Sequence, residues 1–113
     1  MHLTGHALRA LILLGEDDTW RHKPVHHEIV KRAREAGLAG ATVLHGCEGF
    51  GTTKLIHTDR ILSMTDDLPI VVIIVDTEDK VRAFLPELDE LVTDGTVILD
   101  QVEVLRYEGE QQA

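Results

Sequence analysis

With 113 residues, 11 basic and 20 acidic, the chain carries a net charge of −9, which opposes a phosphate backbone and argues against general nucleic-acid binding. A lone cysteine, Cys47, excludes an internal disulfide. The longest apolar runs, Ala10 to Leu14 and Pro69 to Val75, fall far short of the roughly 20 residues a membrane helix needs.

Arg9 interrupts the first apolar stretch and Glu16, Asp17 and Asp18 follow it, unlike a secretion signal, so a soluble cytoplasmic protein is expected. The expected organisation is one domain over residues 1–113, with a protruding loop at about 46–66 and a flexible tail at 108–113.

Ala7 to Leu14, apolar except for Arg9 and closed by Gly15, reads as a central strand buried on both faces. Gly15 to Lys23 reads as a polar loop: three acids, Trp20, then three potential cations. Pro24 suits the first turn of a helix, and Val25, Ile29, Ala33 and Ala36 recur at helical spacing until Gly37 stops it. Ala41 to His45 is a second strand, followed by a loop containing Gly46, Gly49 and Gly51. Leu68 to Asp76 is a β-branched run, the clearest strand of the chain.

Thr77 is placed to cap a second helix, whose apolar positions Val81, Phe84, Leu85, Leu88, Leu91 and Val92 fall on one face. Pro86 predicts a kink near Arg82 to Pro86. Asp94-Gly95 is a turn, and Thr96 to Tyr107 a last strand with an expected bulge at Asp100-Gln101, where the alternation breaks. Glu87, Asp89, Glu90 and Asp94 read as a solvated face.

The order is β-α-β-β-α-β, which implies an α+β, ferredoxin-like sandwich with one antiparallel sheet and both helices on one face. The other face is then bare. Since the third strand is apolar on both faces, copies of the same chain are the simplest cover.

Gly46, Gly49 and Gly51 permit sharp bends or close approach of a ligand to backbone amides, and Thr52, Thr53 and Lys54 add hydroxyls and a cation. An anionic small molecule fits that chemistry, although glycines also serve plain turns. The seven histidines invite a metal reading, but Pro24 stands between His22 and His26, and His26 and His27 are adjacent, which is not zinc-site spacing. Cys47 beside His45 and Glu48 lacks an identifiable third member for nucleophilic catalysis. No catalytic and no metal-ligating set is assigned.

Gly37 to Val43 (GLAGATV), Gly49-Phe50-Gly51 with Lys54, and Val104-Leu105-Arg106 resemble the corresponding parts of PII signalling proteins. The wider pattern is similar to an uncharacterised PII-like family of prokaryotic proteins over nearly the whole chain: Gly15-Glu16, Lys23-Pro24, Gly46 with Glu48 to Gly51, His57-Thr58 and Asp67-Leu68-Pro69. The resemblance implies a cytoplasmic homotrimer with inward-facing sheets and adenine nucleotides in clefts between subunits. It also implies a mobile loop that reports occupancy to a membrane transporter or an enzyme.

Carried over by position, Thr42 would contact the base or ribose, and Gly49, Phe50 and Gly51 would line the base of the loop. Thr52, Thr53 and Lys54 would lie near phosphates, and Arg106 would reach in from the last strand. Thr93 to Thr96 has no lysine where PII proteins carry one, Glu108 replaces a second cation, and one extra residue separates Val43 from Gly49. A monophosphate, a cyclic nucleotide or another anion would need fewer cations than a triphosphate and suits these departures; the adenine nucleotides weighed as effector are AMP, ADP, ATP and a cyclic form, with no obligatory cofactor.

Two other readings use the same fold. A phosphohydrolase would need a cation beside an activated water, for which the sequence supplies only the scattered Arg9, Arg60 and Arg106. A trimeric divalent-metal-tolerance protein is favoured by the histidines but not by their spacing.

Overall fold

The computed structural model describes residues 4–51 and 68–106. Among these residues, six strands and two helices follow in the order β1 (Gly5–Gly15), β2 (Thr19–Trp20), β3 (Lys23–Pro24), α1 (Val25–Glu35), β4 (Ala41–His45), β5 (Pro69–Asp76), α2 (Glu78–Leu91) and β6 (Thr96–Val104). The four long strands form an antiparallel sheet in the order β4-β5-β1-β6. This is the ferredoxin-like sandwich expected from the sequence.

The register decides which side chains meet the helices. Leu8, Ala10, Ile12 and Leu14 of β1 share a face with Ile70, Val72 and Ile74 of β5. Val25, Ile29 and Ala33 of α1 and Val81, Phe84, Leu88 and Leu91 of α2 close the core over them. Ile12, Leu14, Ile29 and Ile70 are fully buried, each stabilising the fold by roughly 1.5–3 kcal/mol relative to exposure.

The ends of α1 are set locally. Gly37 takes φ 78°, while its amide donates to the Arg34 carbonyl and the Leu38 amide to the Ala33 carbonyl. That pair of bonds satisfies carbonyls the helix leaves open, in a conformation glycine adopts without strain. At the start of α2, the Thr77 hydroxyl accepts from the Lys80 amide at 3.4 Å, as its position before Glu78 predicts.

Four expectations need correction. The polar segment before Pro24 contains a small hairpin, with Thr19 paired to Pro24 and Trp20 to Lys23. Arg21 and His22 turn it with φ 49° and 68°, and Pro24 flanks α1 as its N-cap rather than lying within its first turn. Next, β6 carries no bulge: its pairing with β1 is regular from Gly5↔Val104 to Leu13↔Thr96. Asp100 lies directly opposite Arg9, which answers its charge across the strands.

Pro86 lies inside α2, which runs from Glu78 to Leu91, and stands on the exposed side, where the carbonyl left without a donor faces water. Finally, Glu87 and Glu90 are more than solvated charges. Arg32 of α1 donates to both, at 2.7 and 3.1 Å, and so clamps the two helices. Arg32 and Arg21 also lie over the Trp20 ring, 4.8 and 4.6 Å from its centroid, which fixes the hairpin to α1.

Asp76, at the end of β5, is 2% exposed. Its carboxylate accepts from the Thr77 and Ala39 amides at 2.6 and 2.8 Å, joining the end of the central strand to the α1–β4 connection. Among the described residues, no helix is long and apolar enough to cross a membrane.

Candidate functional site

The glycine segment leaves the sheet at the end of β4. The Gly46 amide donates to the Pro69 carbonyl at 2.7 Å, and the Glu16 amide to the Leu68 carbonyl at 2.8 Å. These bonds hold the β4 exit, the β5 entrance and the turn after β1 together. A Cβ on Gly46 would stand 2.7 Å from Pro69 Cγ, and one on Gly49 would stand 3.2 Å from the same atom. Both glycines are therefore accounted for by packing on a proline ring. Gly51 differs: among the described residues nothing lies within 4 Å of an added Cβ, and its φ is 103°, a conformation that favours glycine. Phe50, between them, is 93% exposed.

Below this bend, on the helix side, three imidazoles gather. His26 and His27 meet edge to face with ring centroids 4.6 Å apart, and the His45 ring lies 6.2 Å from that of His26. Glu16 Oε2 is 3.8 Å from His45 Nε2. Desolvation, then the neighbouring His27 and His45, push the His26 pKa below its ordinary value. Its Nδ1 is buried without a hydrogen-bond partner among the described residues. Among the described residues, no three histidine, cysteine or carboxylate side chains converge as a metal-binding set. Cys47 and Glu48 are exposed.

Among the described residues, nothing covers the face of the sheet away from the helices. By register it carries Leu11 and Leu13 of β1, Leu44 of β4, Val71, Ile73 and Val75 of β5, and Ile98 and Val102 of β6. In its midst Arg9 grips Asp100 through two bonds, Nε to Oδ1 at 3.1 Å and a terminal guanidinium nitrogen to Oδ2 at 2.7 Å. That hydrogen bonding holds the Asp100 carboxyl below the usual range; desolvation opposes it, and the guanidinium charge adds a smaller push in the same direction as the bonds.

Thr42 lies on the same bare face, paired with Ile73 on the edge strand β4. Gly49, Phe50 and Gly51 follow from the end of that strand. Thr52, Thr53, Lys54 and Arg60 lie outside the described residues. Arg106 is exposed two residues beyond β6, which forms the opposite edge of the sheet. It also lies at the opposite end, since Val104 pairs with Gly5 whereas the bend packs near the Gly15↔Pro69 pair. One chain therefore groups Thr42 with the bend but holds Arg106 away from both.

Sequence reasoning passed over one concave feature, a groove of about 1100 Å³ between α1 and the β4 edge. Lys23, His26, His27, Lys31, Arg34 and His45 line it, over Pro24, Val30 and Val43. A signal was present in the sequence: Arg32 has Glu28 one turn before it, while Arg34 has no acid four residues away on either side.

Comparison with known proteins gives concordant results. The DUF190 family, described as uncharacterized ACR, matches residues 7–104. A UPF0166 protein of Aquifex aeolicus (strain VF5) is 37% identical over 94 residues, which are 83% of this chain and 89% of that protein. A UPF0166 protein of Methanocaldococcus jannaschii is 31% identical over 100 residues, 88% of this chain and 90% of the relative.

Among solved structures, a PII-like signaling protein of Thermus thermophilus superposes with a TM-score of 0.61 at 14% identity, covering 89% of this chain and 91% of the other. CPII of Thiomonas intermedia K12, in a structure bound to ADP and bicarbonate, superposes with a TM-score of 0.57 at 18% identity, covering 92% and 91%. At these identities the superpositions establish a shared PII-like fold.

Proposed function

This chain belongs to the DUF190 family, and from that premise we propose that it is a non-enzymatic, PII-like regulator that binds an adenine nucleotide between copies of itself. The observation that carries the reading is the separation of Thr42 and Phe50 from Arg106, at opposite edges and ends of a sheet whose apolar face is bare among the described residues. A second copy laid over that face brings the two groups of residues to one cleft. Support for the ligand comes from CPII, a PII-like neighbour in structure, which was solved with ADP and AMP.

In the proposed assembly three chains meet over their bare faces. Thr42 contacts the base or ribose, while Gly49 to Gly51 line the loop base and Thr52, Thr53 and Lys54 face the phosphates. Arg106 comes from the neighbouring chain. A bound nucleotide favours one arrangement of residues 46–66 over another, and that difference in affinity is the signal delivered to a cytoplasmic enzyme or a membrane transporter.

Titration calorimetry with AMP, ADP, ATP and cyclic AMP tests the reading. Binding is expected for wild type and is lost in Thr42→Ala and in Arg106→Ala separately. Refolding the two variants together restores a fraction of the sites, because one chain then supplies the threonine and another the arginine. Undiminished binding by Arg106→Ala would overturn the shared cleft, and steady turnover of the nucleotide would favour the phosphohydrolase instead.

A further inference from the structure

Four of the described arginines have partners: Arg9, Arg32 and Arg82 hold carboxylates, and Arg21 lies over Trp20. Among the described residues, Lys23, Lys31 and Arg34 hold no carboxylate, and all three border the α1–β4 groove. His26, His27 and His45 line the same groove. Of its two acids, Glu28 lies 3.7 Å from Arg32, leaving Glu35 as the one without an ion pair among the described residues. In a chain of net charge −9, this is a local reversal of sign.

Its shape selects the ligand. Lys23 precedes α1 and Arg34 is its next-to-last residue, so the cations are spread over about 15 Å at 1.5 Å per residue. A single compact anion cannot touch them all. Alongside runs β4, an edge strand with no neighbour on its outer side among the described residues. Its five residues span about 16 Å and present backbone donors and acceptors in alternation. Val30 and Val43 supply an apolar floor between the two.

We propose that the α1–β4 groove docks an extended acidic segment of a partner protein, which adds as a strand to the free edge of β4 and lays its carboxylates against Lys23, Lys31 and Arg34. Main-chain bonds to the edge would give affinity and the cations would give selectivity. The proposal stands independently of nucleotide binding. A competing role for the same cations, guarding an exposed edge against self-pairing, makes the opposite prediction, that no acidic strand binds.

Fluorescence polarisation of a labelled hexapeptide of alternating glutamate and valine, titrated with the full chain in its native oligomeric state, distinguishes them. The peptide is expected to bind, and the Lys31→Glu, Arg34→Glu double variant to bind it at least tenfold more weakly. Lys80→Glu, a charge reversal outside the groove, leaves binding unchanged. Methylating alternate peptide amides abolishes binding in one register and spares it in the other, and a lysine–valine peptide does not bind. Absence of binding, equal binding by the double variant, or tolerance of methylation in both registers overturns the proposal; the last marks charge attraction without strand addition. Circular dichroism of the variants excludes misfolding as the cause of a loss.

Discussion

Replacing Gly46 with alanine tests how tightly the loop base is built. The added methyl would stand 2.7 Å from Pro69 Cγ and 3.3 Å from the Pro69 carbonyl oxygen. Neither atom can swing aside, because Pro69 is a ring in a strand and its carbonyl receives the Gly46 amide at 2.7 Å. Forcing a methyl into a packed site costs about 1–3 kcal/mol. Against this, alanine reduces the freedom of the unfolded chain, which stabilises by about 0.4–1 kcal/mol where the native backbone tolerates it.

Taking the middle of each range, the expected net effect is a destabilisation of about 1.3 kcal/mol. Gly40 is the matched control, since nothing lies within 4 Å of its added Cβ and its φ is not positive. Gly40→Ala should therefore be neutral or slightly stabilising. Urea unfolding of both variants at one protein concentration measures the difference. Equal midpoints, or a Gly46→Ala midpoint above wild type, would refute the account of the loop base.

Three further outcomes follow from the same geometry. Asp76→Ala removes a buried carboxylate from the Ala39 and Thr77 amides, and should cost about 2–4 kcal/mol by urea unfolding, given the strength of hydrogen bonds to charged groups. The His26 pKa is lowered on folding, so the unfolded chain binds the proton more readily; stability is full above its unfolded pKa, about 6.5, and falls as pH drops below it. Thermal unfolding of His26→Gln between pH 7.5 and 5 should show a shallower fall than wild type. Arg9→Ala strands Asp100 on an apolar face and should shift the assembly toward smaller species in analytical ultracentrifugation, whereas Arg9→Leu with Asp100→Leu keeps it together.

The sequence disclosed the fold most clearly where a local pattern sufficed. The run from Pro69 to Asp76 has no competing reading, and α1 and α2 follow from spacing with Gly37 and Thr77 at their limits. It failed where the cause lay far along the chain. Asp100 breaks the alternation of β6, yet its partner is Arg9, 91 residues away, so a paired strand looked like a bulge. The β2–β3 hairpin turns on Arg21 and His22, without the glycine or asparagine that normally marks such a turn.

The candidate site was legible only in part. Thr42 and the Gly49–Gly51 bend fall near one edge of the sheet, but the distance of Arg106 from them follows from strand order, which no motif contains. The imidazole cluster was hidden because His45 joins His26 and His27 through the packing of β4 on α1. The groove cations were hidden because Lys23, Lys31 and Arg34 read as ordinary solvated charges until the fold set them beside the edge strand β4.

Native mass spectrometry of the chain with ADP bears most directly on the proposed function, since it reports assembly and occupancy together. The account predicts a trimer that takes up as many as three nucleotides, with no nucleotide on any residual single chain. A monomer as the sole species, or a monomer that retains ADP, would contradict a site built from two copies.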